Sequence, residues 1–145
     1  MTIRMTLRPL LPGFAALCLI GCGTTPPTPA QAAAAEPDTK LDYSNAWRIE
    51  VSEGANSDGE ILFRVTPKGG PTQDVKVVID DGTSEDHVAR VIKNTFEDQL
   101  DTSRYDIEMD DAEDVLVKKD LTEPRFALVL VSSTVESVRL HVQKE

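Results

Sequence analysis

From Ala46 to Glu145 apolar and polar positions alternate in short runs, the pattern of strands with one buried face. Trp47, Ile49 and Val51 alternate, and Gly54-Ala55-Asn56-Ser57-Asp58-Gly59 then reads as a loop. Ile61, Phe63 and Val65 alternate up to the breaker Pro67-Lys68-Gly69-Gly70-Pro71, and Val75, Val77 and Ile79 follow before a turn at Asp80-Asp81-Gly82. Three short runs joined by turns predict an antiparallel meander. The period then lengthens. Val88, Val91, Ile92, Phe96 and Leu100 share one face at helical spacing, after a hydroxyl cap and first-turn acids in Thr83-Ser84-Glu85-Asp86, so a helix is predicted over about 84–100. Strand alternation resumes with Tyr105, Ile107 and Met109, then with Val115-Leu116-Val117. The run Phe126–Val131 is apolar on both faces, which predicts a central strand, and Val138, Leu140 and Val142 form a last one.

The expected order is therefore β-β-β-α-β-β-β-β, an α+β domain with a mainly antiparallel sheet of about seven strands and one amphipathic helix on a sheet face. One helix cannot cover a seven-stranded sheet, so either the sheet curls over itself or an apolar face is left for a partner. Curling is the favoured expectation. The stretch Glu60–Val142 contains Val75-Lys76-Val77-Val78-Ile79-Asp80-Asp81-Gly82-Thr83-Ser84 followed by the Val88-Ala89…Ile92 helix. It resembles small modules of flagellar hook-associated and phage tail-sheath proteins, and that resemblance implies a structural or interaction module without an active site.

Upstream the pattern is of a different kind. Arg4 and Arg8 precede an apolar stretch from Leu10 to Ile20, broken by Pro12 and Gly13, and no acid occurs before Glu36. The stretch is shorter than the roughly 20 residues a spanning helix needs, and fits an export signal. Leu19-Ile20-Gly21-Cys22 resembles the lipobox of bacterial lipoproteins. The resemblance implies removal of residues 1–21 and a covalent lipid on Cys22. Gly23 in place of aspartate implies sorting to the outer membrane, with the domain facing the periplasm. Residues 22–44, rich in proline, threonine and alanine, predict a disordered tether, and 45–145 a single globular domain.

Composition narrows the function classes. The chain has two cysteines, Cys18 and Cys22; one leaves with the signal and the other is the lipid site, so the domain must rest on its hydrophobic core. With Arg4 and Arg8 removed, 13 cations face 25 carboxylates, a formal charge of −12. That argues against nucleic acid and against direct adsorption to anionic head groups, and favours a basic or cationic partner. Six carboxylates crowd into nine residues: Asp106, Glu108, Asp110, Asp111, Glu113 and Asp114. On a strand the first three share a face at roughly 7 Å spacing, and such hard oxygen ligands suit weak calcium binding or a basic partner. The acidic face also blunts edge pairing.

His87 and His141 are the two histidines, both expected to face solvent, and no nucleophile-elbow pattern surrounds Ser132 or Ser133. Trp47 reads as a core residue. Lys118-Lys119 near Arg125 reads as a small basic patch, most simply a local ion-paired surface. The sequence thus points to a lipoprotein with a structural or protein-interaction domain, its partner an envelope protein, a basic enzyme such as a lysozyme to be inhibited, or a second copy. A binding module for a divalent cation or small envelope ligand is the alternative, and an enzyme the least expected class.

Overall fold

The computed structural model describes residues 40–145. Cys22, the expected export signal 1–21 and nearly all of the expected tether lie outside the described residues. Seven strands and one helix follow in the predicted order: β1 Ala46–Ser52, β2 Gly59–Pro67, β3 Gln73–Ile79, α1 Glu85–Gln99, β4 Tyr105–Asp110, β5 Asp114–Lys119, β6 Phe126–Ser133 and β7 Arg139–Lys144. The domain is α+β, with every strand pair antiparallel.

The strands form two sheets, ordered β4-β5-β1-β7 and β3-β2-β6. Their inner faces, carrying Ile49, Val115 and Val117 on one side and Ile61, Phe63, Val65, Val75 and Val77 on the other, join one buried core. Tyr105 of the first sheet meets Phe126 of the second edge to face, centroids 5.1 Å apart. Helix α1 sends Val88, Ala89, Ile92 and Phe96 into the same core, where Phe96 packs on Phe63 with centroids 5.3 Å apart. Two short sheets and a helix thus enclose the apolar faces that a single flat sheet would have left bare.

Two local expectations are corrected. Residues 46–79 are not a three-stranded meander: β2 and β3 form a hairpin, but β1 pairs with β5 and β7 in the other sheet. The β1–β2 loop crosses between the sheets because it is tied at both flanks. Ala55 N–H donates to Thr83 O at 2.7 Å and Asn56 N–H to Glu136 O at 3.1 Å. Gly54 permits this approach, since a Cβ there would lie 2.8 Å from Thr83 O. The second correction concerns β6, which is an edge strand rather than a central one. Phe126, Ala127 and Leu128 are buried, but Val129 and Val131 stand 40% and 42% exposed, and the register slips at Val131 opposite Leu62/Phe63. A bulge of this kind twists an edge away from further pairing.

Helix α1 keeps close to its predicted span. Ser84 is the N-cap in extended conformation, yet its hydroxyl bonds the His87 ring at 3.0 Å instead of a backbone N–H. The chain comes into the domain through Ser44, which exchanges two backbone hydrogen bonds with Phe126 at 2.9 and 3.0 Å.

Candidate functional site

Strand directions sort the loops into two poles. The basal pole, where the chain comes in, gathers residues 40–45, 67–73, 99–105, 119–126 and 144–145; the opposite pole gathers 52–59, 79–86, 110–114 and 133–139. Charge follows this division. The opposite pole carries eleven carboxylates: Glu53 and Asp58 before β2, Asp80, Asp81, Glu85 and Asp86 around the helix start, Asp110, Asp111, Glu113 and Asp114 in the β4–β5 hairpin, and Glu136 before β7. Two cations pair with them. Arg139 reaches Glu53 at 3.4 Å, and Arg48 reaches Asp110 and Asp114 at 2.7 and 2.8 Å. The other eight make no ion pair among the described residues. This acidic pole is the candidate functional surface.

The six carboxylates singled out in the sequence do not act as one cluster. Asp106, Glu108 and Asp110 do lie along β4, with Asp106 opposite Lys118 and Glu108 bonded to the Lys118 ammonium at 2.5 Å. That hydrogen bond holds the Glu108 carboxyl below the usual carboxylate range. Asp110 and Asp114 face the Arg48 guanidinium, which also bonds Glu145 at 2.5 Å. Hydrogen bonds to Glu145, Asp114 and Asp110, in that order of weight, raise the Arg48 pKa above its ordinary value. Asp111 and Glu113 remain, at the hairpin tip.

The tip has a left-handed turn, with φ of 49° at Asp111 and 59° at Ala112. It places Glu113 beside the start of α1, where carboxylate oxygens of Glu85, Asp86 and Glu113 lie within 4.8 Å of one another. The sequence marked Glu85 and Asp86 only as first-turn acids that favour the helix dipole. Their convergence with Glu113 depends on hairpin and helix ending at the same pole, which periodicity does not report. Chemically the trio is a set of hard anionic ligands. Calcium takes six to eight oxygens, so three carboxylates with water would bind it weakly, and the positive end of the helix dipole opposes a cation there. The eight unpaired carboxylates spread over four loops suit a broad basic surface better.

The remaining candidates are placed as follows. His87 is exposed on the first helical turn and His141 is exposed on β7, while Ser132 and Ser133 are exposed near the end of β6. Trp47 is buried, and its Nε1–H donates to Phe126 O at 2.9 Å. Lys118 is ion-paired, whereas Lys119 donates to the carbonyls of Asp120 and Leu121, and Arg125 makes no ion pair among the described residues. A cleft of about 260 Å³ lies between the β2–β3 turn and the α1–β4 loop, lined in part by Pro67, Pro71, Asp101, Arg104 and Tyr105. Its polar groups are engaged: Arg104 bonds Glu123 at 2.8 Å and the Asp101 carboxylate accepts from Ser103. No helix among the described residues is long and apolar enough to cross a membrane. No protein-family model matches the chain, and no curated protein shows significant similarity to it.

Proposed function

We propose that this is a lipoprotein of the bacterial outer membrane, anchored through Cys22, whose periplasm-facing domain is a protein-interaction module that offers its acidic pole to a basic partner. The observation that carries the reading is the segregation of charge. Residues 40–145 contain 13 cations and 23 carboxylates, and the excess of carboxylates gathers at the pole away from the point where the chain comes in. A surface built for solubility alone has no reason to be polar in this sense, whereas a concentrated negative field steers and orients a basic partner. The lipobox residues Leu19-Ile20-Gly21-Cys22 support the anchor.

The two halves of the proposal are tested separately. Radiolabelled palmitate enters the wild type and not Cys22→Ser; label in the variant removes the anchor. A photo-cross-linker at Ala112 in intact cells captures a basic protein, and Glu85→Lys with Glu113→Lys reduces the adduct several-fold. An adduct unchanged by charge reversal removes the acidic pole as the binding surface. Weak divalent-cation binding at Glu85, Asp86 and Glu113 is the second reading, favoured by the convergence of their oxygens.

A further inference from the structure

Leu121 is the most exposed large apolar side chain among the described residues, at 95%. It sits at the tip of the β5–β6 turn in the basal pole, and the turn is tied down. The Asp120 carboxylate accepts the Thr122 N–H and hydroxyl at 3.0 and 2.9 Å, Glu123 N–H donates to Asp120 O at 3.1 Å, and Glu123 pairs with Arg104. Those bonds to Thr122 hold the Asp120 carboxyl below its ordinary range. A leucine on a mobile loop would fold back on the nearest apolar surface. Here the backbone holds it out in water.

The same turn is flanked by cations that pair with no carboxylate among the described residues. Lys119 precedes it, Arg125 follows it, and Lys68 lies beside Arg125 through a 2.8 Å backbone bond. Five of the 13 cations among the described residues make no ion pair: Lys40, Lys68, Arg90, Lys119 and Arg125. Three of the five, Lys68, Lys119 and Arg125, lie on this turn or next to it. Around the turn four cations, counting Arg104, stand against Asp101, Asp120 and Glu123, so this end carries a slight positive excess in an acidic domain. Asn45 O accepts from Lys119 N–H at 2.9 Å, which places the turn beside the residues through which the chain comes in.

We infer that the basal pole docks on an anionic bilayer surface, with Leu121 entering the interface and Lys68, Lys119 and Arg125 meeting lipid phosphates. Net charge opposes adsorption of the domain as a whole, but a surface potential decays within about 8–10 Å at moderate salt, so the near pole counts for more than the far one. One apolar side chain and three cations give reversible docking rather than a second anchor. An orientation that brings the acidic pole to the surface is repelled by the same field, so the acidic pole faces outward. The inference rests on the lipoprotein reading for its setting and deepens it: the anchor sets distance, and the basal pole sets orientation.

The test uses lipidated protein purified from the envelope and reconstituted into phosphatidylglycerol-containing vesicles or into phosphatidylcholine alone. Flotation with both vesicles at high salt reports the anchor; failure there counts against the Cys22 reading, and docking is then read from low-salt flotation with the anionic vesicles only. Docking itself is read from amide exchange. Residues 119–125 and 67–71 exchange several-fold more slowly on anionic vesicles than on zwitterionic ones. Lys119→Glu with Arg125→Glu abolishes the difference, and Leu121→Ser reduces it. Equal exchange on the two surfaces, or protection that survives charge reversal, overturns the proposal. So does protection that arises only when other envelope proteins are present, since the occupant is then a protein.

Discussion

At the scale of the residue, Trp47 shows what alternation can establish. Its place in the Trp47, Ile49, Val51 run assigns it to the core, and it is buried there. Sequence does not reveal its second role, a hydrogen bond from Nε1 to Phe126 O, the same carbonyl that accepts from Ser44 N–H. The side chain thereby pins the first sheet to the start of β6. Trp47→Phe removes the donor but leaves Phe126 O with a partner, so it should cost about 1–2 kcal/mol of stability, against roughly 3–5 for Trp47→Ala. Urea unfolding followed by circular dichroism separates the two. Near-neutral values for both would mean that neither its burial nor its hydrogen bond stabilises the domain.

At the scale of the element, the legible part of the fold was what each segment does by itself. The helix face at Val88, Ile92 and Phe96 and the strand runs at Ile61–Val65 and Val75–Ile79 follow from period alone. Partnership was not legible. Whether β1 pairs with β2 depends on Ala55 and Asn56 bonding to Thr83 and Glu136, and the edge position of β6 depends on Ser44 and a bulge. The candidate site divides in the same way. Asp111 and Glu113 could be read as turn acids, but not their meeting with Glu85 and Asp86. Edge protection is equally cryptic. Gln99, at the end of α1, accepts from Lys76 N–H at 3.2 Å and donates to Lys76 O at 3.0 Å, standing in for a neighbouring strand along β3. Gln99→Ala should cost about 1 kcal/mol and speed exchange of the Lys76 amide, with a greater tendency to associate at high concentration. An unchanged Lys76 amide would mean that the side chain does not hold the edge.

At the scale of the whole molecule, segregated charge has a thermodynamic consequence that separates the two readings of the acidic pole. Glu85 and Asp86 lie in the first turn of α1, where the helix dipole partly offsets their mutual repulsion. Glu113 brings a third negative charge from the hairpin to the same place, more than a helix end equivalent to about half a unit charge can offset. Neutralising it should therefore stabilise the domain at low ionic strength, raising the melting temperature of Glu113→Gln by roughly 2–4 °C. The gain should fade as sodium chloride is raised, because screening removes the repulsion in the wild type as well. Calcium chloride at matched ionic strength completes the comparison. Stabilisation of the wild type beyond that given by sodium chloride, and absent from Glu113→Gln, indicates coordination by the trio. Equal effects of the two salts indicate a diffuse field, which is what a pole shaped for a broad basic partner requires.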